Sequence, residues 1–309
     1  MGLRGFLVMA VVVTGLAGCE KAQAATLVGQ KVSLPDTYTH PEYLISAQWL
    51  NHHLDDANLI IVDARSEDDY DDEHIPGAVH AAWSQFSFMG DPSDKNHGLL
   101  LPDDQLAREI SKLGISKNSR VVVYIDPLDG FGEDGRLVWM LNYAGIDDAA
   151  ILNGGIRAYK NAGFMMSSKS ERNDYGSVII DKDKTIYATT EYVAANLDKL
   201  KLLDTREREE YDGKKNYGEV RDGRIPGAVH IFYKDFLDSN GFLKTQSDIE
   251  SMMIGVGISK GDEIIVYCTG GIRAGLVTVA LKTTGYEKVR NYDGSMWNWA
   301  ADDALAMVK

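Results

Sequence analysis

The amino-acid sequence predicts an α/β protein built from two tandem copies of one domain, each with a parallel-sheet core flanked by helices. The first observation is a repeat: Ile75-Pro76-Gly77-Ala78-Val79-His80 returns unchanged as Ile225-Pro226-Gly227-Ala228-Val229-His230, 150 positions later. The second is rhythm, since apolar β-branched runs alternate with helical patterns, as buried parallel strands joined by crossover helices do. The third is size: 309 residues, 44% hydrophobic and 25% charged, suffice for two cores of about 120 to 150 residues each. Such a composition excludes a disordered chain, a collagen and a polytopic membrane protein.

Taken in order, residues 1–18 read as a signal peptide. They hold one charge, Arg4, then an apolar run from Phe6 to Val13 and a small-residue stretch from Thr14 to Gly18, too short to span a membrane as a helix. Leu16-Ala17-Gly18-Cys19 resembles the lipobox of bacterial lipoproteins, which makes Cys19 the acylated mature N-terminus. The alternative is an ordinary secretory signal cut after Ala22-Gln23-Ala24. Both export the protein. The expected location is periplasmic, with the lipid on Cys19 as its hold on a membrane, and Glu20 resembles the residue following the cysteine in lipoproteins sorted to the outer membrane. Residues 19–39 read as a tether, 40–166 as the first copy and 185–306 as the second. Residues 167–184 read as a linker, because Ser167 to Gly176 lacks any apolar period.

In the first copy Ser46 is placed to cap a helix from Ala47 to Leu54. A strand follows from Leu59 into Asp63-Ala64-Arg65, another covers Val121 to Tyr124, and Leu137 to Tyr143 is an apolar helical stretch. The second copy repeats each unit. Thr190 precedes the helical Glu191 to Leu197, Leu200 leads into Asp204-Thr205-Arg206, Ile264 to Tyr267 is a strand, and Leu276 to Leu281 is apolar and helical. Tyr211 matches Tyr70 at an offset of 141, so nine extra residues lie between Tyr211 and Ile225. That insert carries Lys214, Lys215, Arg221 and Arg224; it is expected either to gather an anion at the mouth of a site or to be a solvated loop.

With 46 Asp plus Glu against 32 Lys plus Arg, the formal charge of -14 argues against a nucleic-acid partner. Two cysteines cannot form a disulfide framework or a four-thiolate zinc site. His74 and His80 flank Pro76 without a metal-ligand spacing, and Asn153-Gly154-Gly155 is too short for a dinucleotide fingerprint. Gly155-Ile156-Arg157-Ala158 duplicates Gly271-Ile272-Arg273-Ala274, but its offset of 116 breaks the repeat register. Arg157 is therefore not expected to mark a second site.

The chemistry is expected in the second copy alone. There Tyr267 is followed by Cys268-Thr269-Gly270-Gly271-Ile272-Arg273 and an apolar helical run. A thiol thus falls between a strand's carboxyl end and a helix's amino end, where open α/β sheets bind ligands. Gly270 and Gly271 permit backbone N–H groups from Thr269 to Arg273 to converge on one point. The helix end and the Arg273 guanidinium are expected to favour the thiolate. The first copy has Asp126-Pro127-Leu128-Asp129 at this place: no thiol, two carboxylates that repel an anion, and a proline without N–H. It is expected to be catalytically inert.

These residues resemble the tandem-domain rhodaneses, a sulfurtransferase family. Cys268 to Arg273 is similar to the rhodanese active-site loop. Asp63-Ala64-Arg65 and Asp204-Thr205-Arg206, with His74-Ile75-Pro76-Gly77-Ala78 and Arg224-Ile225-Pro226-Gly227-Ala228, resemble its domain signatures, and Tyr292-Asp293-Gly294-Ser295 before Trp299 resembles the ending of thiosulfate sulfurtransferases. Phosphatase relatives carry Cys-x5-Arg, whereas this chain has Cys-x4-Arg. The resemblance implies sulfur transfer from thiosulfate to cyanide or a thiol through a persulfide on Cys268, with neither metal nor organic cofactor. Thr269, Gly270, Gly271, Ile272 and Arg273 would bind the donor, Arg273 orienting it. Asp204 and Arg206 are read as supporting residues that shape the site through an ion pair. Thr269, Gly271 and Arg273 depart from the Cys-Gly-Ser-Gly-Val-Thr loop of mercaptopyruvate sulfurtransferases, and Asn298 stands where a Glu usually precedes the final Trp. A 3-mercaptopyruvate donor, a persulfide carrier serving a protein acceptor and a noncatalytic binding module remain the alternatives.

Overall fold

The computed structural model describes residues 38–170 and 173–309. The expected signal peptide, Cys19 and nearly all of the tether lie outside them. The first copy runs β1 (Leu44–Ile45), α1 (Ala47–His52), β2 (Leu59–Asp63), α2 (Glu67–Asp72), β3 (Ala78–His80), α3 (Asp103–Lys112), β4 (Arg120–Tyr124), α4 (Glu133–Tyr143), β5 (Ala149–Leu152) and α5 (Gly155–Asn161). The second repeats that order as β6 (Tyr187–Ala188), α6 (Thr190–Ala195), β7 (Lys201–Asp204), α7 (Arg208–Tyr211), β8 (Val229–His230), α8 (Gln246–Gly255), β9 (Ile264–Tyr267), α9 (Ile272–Thr283), β10 (Val289–Tyr292) and α10 (Ser295–Ala301). Each copy forms a five-stranded parallel sheet, in the orders β1-β5-β4-β2-β3 and β6-β10-β9-β7-β8. The α/β reading and the duplication hold.

Central strands are apolar on both faces because helices cover both. Val121 to Tyr124 and Ile264 to Tyr267 are wholly buried, the latter beside Leu202, Tyr292 and Trp299 in the second core. Ser46 caps α1, its side chain accepting the Trp49 N–H. At α6 the cap falls one residue earlier than expected. Thr189 has the extended backbone a cap requires and accepts the Tyr192 N–H, while the Thr190 hydroxyl bonds Tyr292.

Helices α4 and α9 are apolar on nearly every face because the two copies pack against each other through them. Glycines set how closely they cross: a Cβ on Gly135 would lie 2.2 Å from the Leu276 Cα, and one on Gly275 would lie 2.7 Å from the Arg136 Cα. The contact is reciprocal. Asn153, directly after β5, accepts the Leu243 N–H at 2.9 Å, and Asp293, directly after β10, accepts the Leu100 N–H at 3.0 Å. Each copy thus clasps the other, which brings first-copy side chains to the carboxyl end of the second sheet.

Candidate active site

Cys268 leaves the carboxyl end of β9, the middle strand of its sheet, and is almost wholly buried. The loop from Cys268 to Gly271 is shaped by its carbonyls. Met296 and Trp297 amides bind the carbonyls of Cys268 and Thr269 at 3.1 and 2.9 Å, and the Asn291 amide binds that of Gly271 at 3.0 Å. With the carbonyls held there, the Gly271 N–H points at the Cys268 Sγ, 3.1 Å away. Gly271 itself has φ +77°, and a Cβ there would meet Asp293 backbone and the Arg136 guanidinium, so this position requires glycine. A sulfur at the start of a 12-residue helix, accepting an N–H, has its negative charge stabilised by that hydrogen bond and by the helix dipole.

Ser295 supplies the other anchor. It accepts the Cys268 N–H at 3.1 Å and donates to the Tyr292 carbonyl at 2.7 Å. Its φ of 46° is the one positive value outside glycine among the described residues. The first copy has Gly155 with φ 55° at the matching place. The strain is tolerated where the hydroxyl holds the thiol's own backbone.

Arg273 lines the cavity and also holds a buried carboxylate. Its guanidinium, 3% exposed, grips Glu210 through two bonds of 2.6 and 2.9 Å and also donates to the Thr269 hydroxyl at 2.7 Å. Three of the five N–H donors of the guanidinium are thereby engaged. Burial alone would pull the Arg273 pKa down, but the hydrogen bonds and charge of Glu210, with the nearby Cys268, push it up. Burial works to raise the Glu210 carboxyl, yet Arg273 and the Thr269 hydroxyl hold it below the ordinary carboxylate range. Thr269 donates to Glu210 at 2.8 Å, so its side chain belongs to this cluster.

Asp204 and Arg206 form the expected ion pair, closed by bonds of 3.0 Å from Nε to Oδ1 and 2.7 Å from Nη2 to Oδ2. The first copy holds Asp63 and Arg65 in the same way. The pair is therefore a device of the fold in both copies. His80 and His230 each bond the carbonyl of that arginine at 2.8 Å, while His74 bonds the carbonyls of Tyr70 and Lys169. Arg157 turns to Asp126 and Asp129 of the first-copy loop that matches Cys268 to Arg273.

The cations of the insert do not gather at the site. Lys214 pairs with Glu209, Arg221 donates to the carbonyls of Trp299, Ala300, Asp302 and Leu305, and Arg224 lies over the Tyr211 ring. The insert's contribution is instead Tyr217, which lines the site, and buried Glu219, whose carboxylate is 3.3 Å from the Thr269 hydroxyl. The cavity above Cys268, about 300 Å³, is walled by Trp83, Phe131 and Glu133 from the first copy and by Tyr217, Thr269, Gly270, Ile272, Arg273 and Trp297 from the second. Sequence reasoning missed Glu210, Tyr217 and every first-copy wall residue. Only Glu210 left a trace, because its first-copy counterpart at the offset of 141 is the shorter Asp69.

Two parallel sheets, a strand-to-helix loop with a buried thiol in the second copy and a first copy lacking that thiol define a duplicated sulfur-handling α/β protein. The chain belongs to the rhodanese-like domain family, which matches residues 46–162 and 189–302, and it is a sulfurtransferase. It is 30% identical over 278 residues to the sulfur carrier protein TtuD of Thermus thermophilus, covering 85% of this chain and 95% of that one. It is 29% identical over 288 residues to the thiosulfate sulfurtransferase of Corynebacterium glutamicum, covering 85% and 89%. Among solved structures, the 3-mercaptopyruvate sulfurtransferase SseA of Escherichia coli superposes with a TM-score of 0.73 at 26% identity, over 82% of this chain and 98% of that one.

Proposed function

We propose that the chain moves the outer sulfur of thiosulfate to a thiophilic acceptor, cyanide or a thiol, through a persulfide on Cys268. The observation that carries this reading is the Gly271 N–H directed at the Cys268 Sγ at 3.1 Å on the floor of an open cavity. The thiolate attacks the outer sulfur of thiosulfate, an S–S bond to Sγ forms, and sulfite departs with the electron pair of the broken bond. The α9 N-terminus and the loop amides meet the charge of the donor and of the persulfide. A 3-mercaptopyruvate donor is the less supported alternative, because Thr269, Gly271 and Arg273 depart from the Cys-Gly-Ser-Gly-Val-Thr loop of mercaptopyruvate sulfurtransferases. A persulfide carrier serving a protein partner would use the same loaded state.

The test is a single turnover with thiosulfate. The expected result is stoichiometric sulfite and a mass gain of one sulfur atom, both lost in Cys268→Ala; no adduct on the wild type would overturn the thiosulfate reading. Export belongs to the same proposal: residues 1–18 act as the signal and Cys19 carries the lipid. Fatty-acid labelling of expressing cells, with Cys19→Ala as the control, decides between the anchor and plain secretion.

A further inference from the structure

The acceptor's chemistry can be read from the cavity walls, on the basis of the persulfide reading above. Two charged residues line the cavity, Arg273 and Glu133. Arg273 is neutralised by Glu210. Glu133, in the first turn of α4, makes no ion pair among the described residues; its carboxylate accepts the Phe131 N–H at 2.7 Å. The remaining large walls are aromatic: Trp83, Phe131, Tyr217 and Trp297. Phe131 meets Tyr217 edge to face at 6.0 Å between ring centres, so residues of the two copies meet at the cavity. Rings beside an unpaired carboxylate attract organic cations.

A second observation points the same way. Trp83, Phe131 and Glu133 also line a neighbouring cavity of about 420 Å³ at the inert loop. Its other charged walls are Arg65, Asp69, Asp126 and Asp129, with Arg65 tied to Asp63. Asp126 and Asp129 share Arg157. Among the residues lining the two cavities, carboxylates outnumber cations.

We infer that the first copy supplies an acceptor subsite, made by Trp83, Phe131 and Glu133, for a small thiol bearing an ammonium group. The acceptor's thiolate attacks the terminal sulfur of the Cys268 persulfide and a new S–S bond forms. The bond to Sγ breaks with its electron pair returning to Cys268, and the proton of the terminal S–H stays with the product hydropersulfide. The inert copy then contributes selectivity to a reaction whose nucleophile lies in the other copy.

The experiment loads full-length protein with sulfur and confirms the load by mass. Second-order rates of sulfur removal by cysteamine, 2-mercaptoethanol and 3-mercaptopropionate are then measured, each normalised to the loaded fraction. Intrinsic thiol reactivity cancels when the cysteamine-to-mercaptopropionate ratio of a variant is divided by that of the wild type. Glu133→Gln keeps an oxygen for the Phe131 N–H, and is expected to lower the ratio by about tenfold, the worth of one charge-assisted contact. Trp83→Leu is expected to lower it as well, by removing one face of the ring wall. A ratio unchanged in both variants overturns the subsite while leaving the persulfide reading intact. A wild type that takes up no sulfur overturns that reading, and the subsite with it.

Discussion

Removing Arg136 should loosen a site to which it contributes no chemistry. Arg136 lies on α4 in the first copy, and its Nη1 pairs with Asp293 Oδ1 at 2.6 Å, both side chains wholly buried. Its bonds to Ser87 and Gly98 are long, 3.4 and 3.3 Å, so Asp293 is its principal partner. Arg136→Met preserves bulk over Trp139 but leaves a buried carboxylate without its cation. Breaking one side of such a pair costs about 3 to 5 kcal/mol. Asp293 keeps the Leu100 N–H and the Tyr187 hydroxyl, each at 3.0 Å, which places the expected loss near 3 kcal/mol, or roughly 6 to 10 °C in Tm for a body of this size. Asp293 also abuts Gly271, whose N–H faces the Cys268 sulfur. Sulfur loading and alkylation of Cys268 should therefore slow together with the loss of stability. Urea unfolding and a thiol-alkylation time course measure the two effects, and Arg136→Met with Asp293→Asn should regain part of the stability. If the single variant unfolds within 1 kcal/mol of the wild type and Cys268 reacts at its normal rate, the clasp does not brace the loop.

Two further outcomes follow from buried groups. In Ser295→Gly, relief of the positive φ (about 1 kcal/mol) offsets the lost hydroxyl bonds (about 1 kcal/mol). Stability should stay within about 1 kcal/mol while persulfide loading slows severalfold; unchanged loading would deny the hydroxyl its role. Burial pushes the Asp134 carboxyl up to about 7, against an ordinary 3.8, although the Gly135 N–H pulls it back. The folded state then binds the extra proton between those values, so stability falls as pH rises from about 4 to 7 and the penalty is complete above that range. Asp134→Asn should stabilise the protein by up to about 4 kcal/mol at pH 8 and hardly at all near pH 4. Equal unfolding curves at pH 8 would count against it.

What the sequence disclosed was local. The hexapeptide repeat and the strand runs led to two parallel sheets, and the cysteine in a glycine-rich turn led to the loop at the end of β9. Contacts made by docking two copies carried no such sign. Glu133 and Phe131 belong to the half already read as inert, and only the crossing of α4 and α9 sets them over Cys268. The insert's composition left two readings open: its lysines and arginines satisfy neighbouring carboxylates, carbonyls and rings, and Tyr217 is the member that reaches the cavity. Arg273 lies in the cavity wall, and its partner Glu210 is 63 residues away in sequence, beyond any helical or strand period.

The clasp between the copies has the reciprocity of a two-fold homodimer, in which the same patch of surface is used by both partners. Here the two partners are written into one chain, and the linker keeps them together at every protein concentration. A true homodimer must carry identical halves and so build two equal sites. Joined in tandem, the halves were free to differ, and division of labour became possible: one carries Cys268, and the other lends Trp83, Phe131 and Glu133 to the wall around it.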